Sequence, residues 1–422
     1  MILISVDTLR PDMLGAYGYD RPTSPTMDAF AEDGVLFENA VSVAPWTLPA
    51  HGSMLTGMYP RHHGAVTDRN SLRPDVPTLS EILSQNGFFT AAFTNSTYLM
   101  DRFGFDRGNN YFEYVLESQQ AREPGEVFAK AMSWLSSRQS GQPFFLFVHD
   151  YSAHSDYKSL PEFEEMFVKP YEGIANGSTE QLVFLRSSDI DLREQDGEHL
   201  IELYISGVRQ LDSEIEKFLA YLKESQLDRD TLVILVSDHG EGFLEHGSVL
   251  HGETQYDELL RVPLMLRGPG VPKGERYAQA VSLIDLVPTV FSLLGLSEPE
   301  QGFHWDGMDL SRLWRSAETA IFDERVLFSE ADHHYLEEPD LFRSARHKGM
   351  KLILDRRTQK TLLFDLSTDP GEHEDVSEQH PEVVAFLREQ LEVFDQSSEQ
   401  SEPLPELSEE DRKRLEALGY IQ

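Results

Sequence analysis

Short apolar runs alternate with longer amphipathic stretches over the first two thirds of the chain. The apolar runs are rich in Ile, Val, Leu and Phe and lack polar alternation, which is typical of parallel strands buried on both faces. Because strands and helices alternate, the pattern predicts an α/β fold with a doubly wound, mostly parallel sheet flanked by helices. The predicted strands are residues 2–6, 144–148, 232–236 and 263–266, and the predicted helices are residues 78–86, 127–137 and 201–224.

The pattern changes beyond about residue 310, where short strands follow one another through tight turns. These strands and a closing helix predict a small antiparallel α+β subdomain. We therefore place a larger α/β domain at residues 1–315 and the smaller subdomain at residues 316–422. A polar, Gly/Ser/Asp-rich stretch at 172–197 predicts a long surface loop, and an acidic stretch at 397–411 predicts a linker before a last helix. The predicted strands of the subdomain are residues 324–330, 341–347, 350–355 and 361–366, and its helix is residues 381–394.

The charge balance limits the partners that the chain can bind. The 422 residues include 36 Lys and Arg against 73 Asp and Glu, so the formal net charge is −37. Such a chain repels nucleic-acid phosphates and anionic lipid head groups, and we expect neither as a partner. An anionic substrate would need a local positive centre, which a metal ion would supply. The absence of cysteine excludes thiolate metal ligands and cysteine nucleophiles.

No apolar run is long enough to span a bilayer, and the apolar start of the chain lacks a charged leader. The sequence therefore predicts a cytoplasmic protein without a membrane segment. It leaves the oligomeric state open.

Polar side chains follow three of the predicted strands. Ligands of open α/β sheets bind at the carboxyl ends of strands, and carboxylates with imidazoles suit a divalent cation. A single Asp after a strand more often caps a loop or helix, but three such ends in one sheet favour a metal site. The side chains are Asp7 and Thr8 after the first strand, His149 and Asp150 with His154 after the second, and Asp238 and His239 after the third.

A second candidate feature is Thr47, in the segment PWTLPAHGSMLTG at residues 45–57. Pro49 in a first helical turn and Gly57 as a stop predict a helix that begins at Thr47. The hydroxyl of Thr47 would then either cap this helix or act as a nucleophile at a helix N-terminus, where free N–H groups stabilise a bound anion. Local chemistry leaves these two interpretations equally open.

Motifs along nearly the whole chain, in order, resemble the sulfatase family of the alkaline phosphatase-like superfamily. They are ISVDTLRPDMLGAYG at 4–18, LTGMYP at 55–60, SDHGE at 237–241, HGETQYDE at 251–258, RVPL at 261–264, LFDLSTDPGE at 363–372 and LGY at 418–420. The resemblance implies an alkaline phosphatase-like fold and an ester hydrolase. It also implies one divalent metal ion (Mn, Ca, Mg or Zn), held by Asp7, Asp238 and His239 together with the nucleophile Thr47.

The resemblance further implies that His154 contacts the ester or protonates the leaving group, and we expect His154 or His251 to act as general acid or base. Additional candidates for contacts with metal or substrate are Thr8, His51, Asn95, Asp150 and His246. A second metal is an alternative, because Asp150 and His154 are spaced as in two-zinc members of the superfamily. The adjacent pairs at 62–63 and 333–334 are interpreted as solvated surface histidines.

The nucleophile motif departs from the family pattern of Cys or Ser, any residue, Pro, any residue, Arg. Here Thr47 cannot mature to formylglycine, His51 replaces the arginine, and lysine is absent at Phe93 and His251. Fewer fixed cations favour a small-molecule substrate with one negative charge, a phosphodiester or a sulfate ester. A threonine ester must be cleaved by water at its central atom, which favours phosphorus and therefore a phosphodiester or phosphonate ester. The alternatives are a sulfuric ester hydrolase without formylglycine, a phosphoethanolamine- or phosphoglycerol-type transferase, and an inactive binding scaffold.

Overall fold

A computed structural model describes residues 1–115, 125–139, 141–188, 190, 192–296, 304–316, 319–333 and 341–397. Within these ranges the chain forms a large mixed sheet, a smaller antiparallel sheet and a two-stranded ribbon. The strands are β1 (Ile2–Val6), β2 (Val35–Val41), β3 (Phe89–Thr94), β4 (Tyr111–Tyr114), β5 (Phe144–Asp150), β6 (Val233–Ser237), β7 (Gly242–Phe243), β8 (Val249–Leu250), β9 (Arg261–Arg267), β10 (Glu275–Ser282), β11 (Leu327–Ser329), β12 (Phe342–His347), β13 (Met350–Asp355) and β14 (Thr361–Asp365).

The large sheet has the strand order β10-β2-β9-β6-β1-β5-β3-β4. Its central strands β5, β1 and β6 are parallel, and every residue in them is buried. Strand β9 runs antiparallel to both β2 and β6. The predicted α/β class and the mostly parallel sheet are therefore confirmed.

Helices cover both faces of this sheet, as a doubly wound fold requires. Two apolar clusters, one on each face, fill the space between the helices and the sheet. The helices are α1 (Pro25–Glu32), α2 (Thr47–Thr56), α3 (Pro60–His63), α4 (Leu79–Gln85), α5 (Glu126–Ser137), α6 (Pro161–Phe167), α7 (Thr179–Arg186), α8 (Glu194–Glu224), α9 (Asp257–Leu260), α10 (Leu286–Leu294), α11 (Arg312–Arg315), α12 (Ala320–Glu324) and α13 (Pro381–Gln396).

The small sheet has the order β11-β12-β13-β14, and all of its pairings are antiparallel. Helix α13 packs on it through Leu387 and Leu391, which meet Leu352 and Leu363 of the sheet. The predicted antiparallel subdomain is confirmed, whereas its boundary at residue 315 stays a prediction. The predicted linker and last helix lie almost entirely outside the described residues.

One prediction was wrong: residues 172–197 do not form a continuous surface loop, because helix α7 and the start of α8 lie within them. The polar composition concealed α7, whose Leu182 and Leu185 are buried. Among the described residues, no helix combines the length and apolar character needed to cross a membrane.

Candidate active site

Strand register brings the acidic side chains together at one edge of the sheet. The last residue of β1, Val6, is level with Asp150 of β5 on one side and with Ser237 of β6 on the other. The residues that follow, Asp7 and Asp238, therefore leave the sheet at the same point, and both are fully buried. The structure thus places side chains that are 231 positions apart (238 − 7) in one cluster.

The turn after β1 is held against the turn after β6. Thr8 has φ +56, a left-handed conformation that is unusual for a β-branched residue and costs about 1–3 kcal/mol. In this conformation its amide donates to Asp238 Oδ1 at 3.3 Å, and its carbonyl accepts from the Tyr204 hydroxyl at 2.9 Å. The next amide, of Leu9, donates to Ser237 Oγ at 2.9 Å. The strained turn therefore fixes the relative position of the two carboxylates.

Thr47 is the first residue of α2, and its hydroxyl points into this cluster. The residue at the N-cap is Trp46, and no side chain caps the helix. Instead, Thr47 Oγ1 lies 3.4 Å from Asp7 Oδ2 and 3.4 Å from His239 Nε2. Gly57, with φ +74, ends the helix as predicted. The capping interpretation of Thr47 was therefore wrong.

The ring of His239 is oriented by its own backbone. Nδ1 lies 2.9 Å from the carbonyl oxygen of Gly240, which is an acceptor, so Nδ1 carries the proton. Nε2 then carries a lone pair, and this atom lies 3.5 Å from Asp7 Oδ1 and 3.3 Å from Asp238 Oδ2. An imidazole fixed by a carbonyl on one nitrogen and facing carboxylates with the other is the usual arrangement of a metal ligand.

The electrostatics of the cluster fit a cation. Ligand atoms of Asp7, Asp238 and His239 lie within 4.8 Å of one another. Burial, followed by repulsion from Asp7, raises the pKa of Asp238. Asp238 Oδ2 is buried and has no hydrogen-bond donor among the described residues. Oxygen and imidazole donors that face one another without protons suit a divalent metal.

His51 lies four residues after Thr47 on α2, and its ring reaches the same cluster. Its Nε2 lies 2.9 Å from Ser5 Oγ, and its Nδ1 lies 2.9 Å from the Thr47 carbonyl and 3.3 Å from Asp238 Oδ2. Burial lowers the pKa of His51 to about 3, so the ring is neutral near neutral pH. His51 therefore stabilises α2 through the hydrogen bond of Nδ1 to the Thr47 carbonyl, and its ring lies against Asp238.

His154 and His251 form a second layer beside His239. The His251 ring centroid lies 4.4 Å from that of His239 and 4.9 Å from that of His154. His251 Nδ1 lies 2.9 Å from Glu241 Oε1, while His154 Nε2 lies 2.8 Å from the Tyr151 hydroxyl. Burial raises the pKa of Glu241 to about 7. Burial, with a contribution from Arg186, lowers the pKa of His251 to about 3.

The remaining candidates lie in three different environments. Asn95 is at the cluster, where its Oδ1 lies 3.1 Å from His149 Nδ1. The Asp150 carboxylate accepts the amide of Ser152 at 2.9 Å. His246 lies outside the cluster: it contacts Glu258 at 2.7 Å and stacks on a tyrosine ring.

Two residues at the site are absent from the catalytic, metal and substrate candidates that the resemblance implied. His149 is fully buried, and its Nε2 lies 3.2 Å from Asp7 Oδ2. Arg186, on α7, lies near enough to lower the pKa of both His251 and Glu241. Its guanidinium lies 3.6 Å from Glu253. The strand end had indicated His149, whereas the predicted surface loop had concealed Arg186.

The adjacent histidines were misinterpreted. His63 is fully buried, with Nε2 3.0 Å from Ser53 Oγ, and its ring lies against α2. His333 is buried beside the Trp46 ring at a centroid distance of 4.7 Å. Both rings therefore belong to the interior. Among the histidines of these two pairs that the structure describes, only His62 is partly exposed.

Comparison with known proteins identifies the class. Residues 1–296 match the model of the sulfatase family, and residues 245–397 match the model of the N-sulphoglucosamine sulphohydrolase C-terminal region. The chain therefore belongs to the sulfatase family, whose members typically bind a divalent metal, and it is a hydrolase of sulfate or phosphate-type esters. An endo-4-O-sulfatase of Bacteroides thetaiotaomicron is 24% identical over 441 residues, which cover 87% of this chain and 84% of that protein.

Solved structures share the fold at lower identity. A protein in complex with its substrate D-glucosamine-2-N,6-O-disulfate has a TM-score of 0.76 at 18% identity, covering 94% of this chain and 97% of the other. The phosphonate monoester hydrolase of Agrobacterium radiobacter has a TM-score of 0.75 at 20% identity, covering 94% and 95%. The fold is therefore common to proteins acting on sulfate and on phosphonate esters and does not separate these substrates.

Proposed function

We propose that this chain hydrolyses a small-molecule phosphodiester or phosphonate ester that carries one negative charge, with Thr47 as the nucleophile. The observation that carries the proposal is the position of the Thr47 hydroxyl, which lies 3.4 Å from both Asp7 Oδ2 and His239 Nε2 and does not cap its helix. Asp7, Asp238 and His239 would hold the divalent cation. When bound, this cation would lower the pKa of the Thr47 hydroxyl and neutralise charge on the ester.

The chemistry of a threonine nucleophile favours phosphorus. A formylglycine hydrate releases sulfate by collapse of a hemiacetal, which leaves the sulfur–oxygen bond intact. A threonine ester has no such route, so water must attack the central atom of the intermediate. Phosphorus accepts this attack more readily than sulfur in a clamped site.

Two protons are transferred in this reaction. Thr47 Oγ1 attacks phosphorus and gives its proton to the neutral ring of His251 or His154, and the same histidine passes this proton to the leaving oxygen as the bond between phosphorus and that oxygen breaks. Water then attacks the phosphoryl-threonine and gives a proton to this histidine, which returns it to the Thr47 oxygen as the bond between phosphorus and Thr47 breaks. His251 suits this role because Glu241 holds its Nδ1 at 2.9 Å, which directs Nε2 for proton exchange.

The charge of the site supports a substrate with a single negative charge. His51 is neutral where an arginine is usual, and burial lowers its pKa to about 3. Arg186 contributes a cation next to His251, although Glu253 at 3.6 Å partly offsets it. A phosphate monoester, with two negative charges, would be less well compensated.

Hydrolysis of a sulfuric ester without formylglycine is the second candidate. It is favoured by the curated relatives, among them the Bacteroides endo-4-O-sulfatase and an arylsulfatase of Clostridium perfringens. The protein loaded with Mn²⁺, Zn²⁺, Mg²⁺ or Ca²⁺ would be assayed on an aryl sulfate, an aryl phosphate, a bis-aryl phosphate and an aryl phosphonate ester. We expect the last two to be hydrolysed fastest. Turnover of the aryl sulfate alone would contradict the phosphorus assignment.

Substitution of Thr47 tests the nucleophile directly. We expect Thr47→Ala to lower kcat at least about a hundredfold, and Thr47→Ser, which keeps a hydroxyl, to retain more activity. Thr56→Ala is a matched control, because Thr56 is a buried threonine of the same helix whose hydroxyl donates to the Gly52 carbonyl. Full activity of Thr47→Ala would show that another group attacks the ester.

A further inference from the structure

A cavity of about 650 Å³ lies between helices α7 and α8 and the ribbon of β7 and β8. Cavities that bind small molecules usually measure about 300–1,000 Å³ and combine apolar walls with a few polar groups. The apolar walls here include Leu185 of α7, Ile201 of α8, and Leu244 and Val249 of the ribbon. We propose that this cavity binds the leaving group of the ester and selects an alcohol that has an apolar body and no negative charge. The inference rests on the proposed function for the reacting end of the ester.

Arg186 connects the cavity with His251. Its side chain is 9% exposed, lines the cavity, and lies 3.6 Å from Glu253 in the segment that follows His251. Helix α7 packs on β8, the strand that ends directly before His251. Burial and, after it, the charge of Arg186 lower the pKa of His251, as expected for neighbouring side chains. An alcohol whose oxygen takes a proton from His251 would therefore extend past Arg186 into the cavity.

Leu244 forms part of the wall in an unfavourable backbone conformation. Its φ is +80, in the left-handed region that favours glycine. Its amide donates to the Ser248 carbonyl at 2.9 Å, which closes the turn of the ribbon. Its side chain lies beside Gly197 of α8, where a Cβ would come within 3.4 Å of Leu244 Cδ1. Strained residues of this kind are frequent at ligand-binding sites, and here the strain places an apolar side chain at the cavity.

The charges of the cavity disfavour an anion. The charged or ionisable residues that line it are Glu194, Glu198, Glu245, Arg186 and His373. Glu245 pairs with Arg10, whereas Glu194 and Glu198 are exposed at the start of α8. The net charge of −37 on the whole chain adds to the negative potential. A carboxylate or sulfate on the leaving group would be repelled here, whereas a neutral alcohol would meet no such penalty.

Binding of a free alcohol tests this inference without turnover. The probes are the methyl ester of para-(hydroxymethyl)benzoic acid, which is neutral, and the carboxylate of the same acid. The full chain is stripped of metal, so that the carboxylate cannot bind to the cation. We expect a Kd of about one millimolar or tighter for the neutral probe, and binding at least about fivefold weaker for the carboxylate. Calorimetric titration would measure both. Equal binding, tighter binding of the carboxylate, or no binding of the neutral probe would overturn the inference.

A substitution at Leu244 locates the bound alcohol. Leu244→Gly removes part of the apolar wall and places glycine where φ +80 favours it, so we expect the variant to fold. We expect the neutral probe to bind about tenfold more weakly. Gln226→Gly is the matched control, because Gln226 has φ +60 and lies just after α8, outside the cavity. It should bind the probe as the wild type does. Unchanged binding by Leu244→Gly would place the alcohol elsewhere and overturn the inference.

A charge reversal tests the selectivity. We expect Glu198→Lys to bind the carboxylate probe about threefold more tightly than the wild type, a modest gain because exposed charges are screened. Glu216→Lys reverses an exposed charge of the same helix outside the cavity and should leave the binding unchanged. Equal binding of the carboxylate by both variants would contradict the selectivity that we assign to the cavity.

Kinetics connect the cavity with the reaction. The metal-loaded protein would be assayed on phenylphosphonate esters of the two alcohols, and we expect kcat/KM to be at least about fivefold higher with the neutral leaving group. Leu244→Gly should lower kcat/KM about tenfold on this ester and less on the corresponding ester of methanol, which is too small to reach the walls.

The outcomes separate this inference from the proposed function. A Leu244→Gly variant that loses probe binding but keeps kcat/KM on the neutral ester would overturn the leaving-group assignment alone. No turnover of any ester by the wild type would overturn the proposed function and, with it, the assignment of the alcohol as a leaving group. The binding results would then still decide which alcohol the cavity accepts.

Discussion

Two of the buried acidic clusters in the described part of the chain are compensated in different ways. At the candidate site, Asp7 and Asp238 are surrounded by imidazoles. Between the two sheets, Asp257 contacts Arg346 and lies 2.7 Å from Lys351 Nζ, which in turn lies 2.8 Å from Glu372. We call this second group the inter-sheet cluster. It contains its own cations, whereas the site cluster depends on neutral rings.

The two environments shift the pKa of Asp257 and the pKa of Asp238 in opposite directions, whereas burial, with repulsion from Asp257, raises the pKa of Glu372 in the inter-sheet cluster. Burial alone would raise the pKa of Asp257, but Arg346 and Lys351 outweigh it and hold the pKa well below its ordinary value. At the site, burial and Asp7 raise the pKa of Asp238. Asp257, which is paired with both Arg346 and Lys351, therefore stays ionised without any ligand. A buried acid among imidazoles needs either a proton or a cation from outside.

The largest expected effect comes from breaking the site cluster. We expect Asp238→Asn to lower kcat/KM about ten-thousandfold, roughly 5 kcal/mol in the barrier, because it removes a ligand charge. The folded structure should persist, since the substitution also removes a buried charge. Steady-state kinetics and circular dichroism would measure the two effects. A loss below about tenfold would show that Asp238 does not hold the catalytic cation.

Breaking the inter-sheet cluster should affect stability instead of chemistry. We expect Lys351→Met to lower the free energy of unfolding by about 3–5 kcal/mol, because it leaves Asp257 and Glu372 with less compensation in the interior. Chemical denaturation would measure this loss, and kcat per folded molecule should stay within about twofold. A variant with unchanged stability but impaired turnover would reverse the roles that we assign to the two clusters.

Removal of metal should lower the stability of proteins with an intact site cluster, and this effect should be smaller than those of the two substitutions above. At a free metal concentration of about 100 to 1,000 times Kd, binding stabilises the folded state by about 3–4 kcal/mol. We therefore expect a chelator to lower the Tm of the wild type and of Lys351→Met by similar amounts. The Tm of Asp238→Asn should respond little. Equal shifts in all three proteins would place the metal elsewhere.

The smallest predicted effect is a pH dependence of the metal-free protein. Burial raises the pKa of Glu241 from 4.5 to about 7, so its contribution to stability is complete below about pH 4.5 and is lost as the pH rises through about 7. We expect the free energy of unfolding to fall by on the order of 2 kcal/mol between about pH 5 and pH 8. Asp257 has the opposite sign, because its contribution is lost as the pH falls below its ordinary range. Denaturation of Glu241→Gln, which lacks this titration, should give a flatter profile; an equally steep one would contradict the assignment.

Much of the fold could be predicted from the sequence, because β1, β5 and β6 are continuous apolar runs of strand length. The antiparallel strand β9 was recognised as a strand, but its direction was not predicted. An apolar pattern indicates that a strand is buried, but it does not indicate whether the strand runs parallel or antiparallel to its neighbours. Strand β2 was missed, since Glu38 and Asn39 interrupt its apolar run.

The site could be predicted only in part. Asp7, Asp238 and His239 were found because strand ends meet at one edge of a parallel sheet. The sequence could not decide between His149 and Asp150, because β5 is buried on both faces and alternate positions look equally apolar. The structure turns His149 toward Asp7 and the Asp150 carboxylate toward a backbone amide.

The central position of β1 has a consequence for synthesis on the ribosome. Strand β1 pairs with β5 on one side and β6 on the other, so its second partner, at residues 233–237, emerges long after residue 7. The carboxylates of Asp7 and Asp238 can meet only when this late partner has joined. A nascent chain released before that point would lack Asp238 and His239 and could not complete the proposed ligand set. Binding of the metal would therefore require that β6 has already paired with β1.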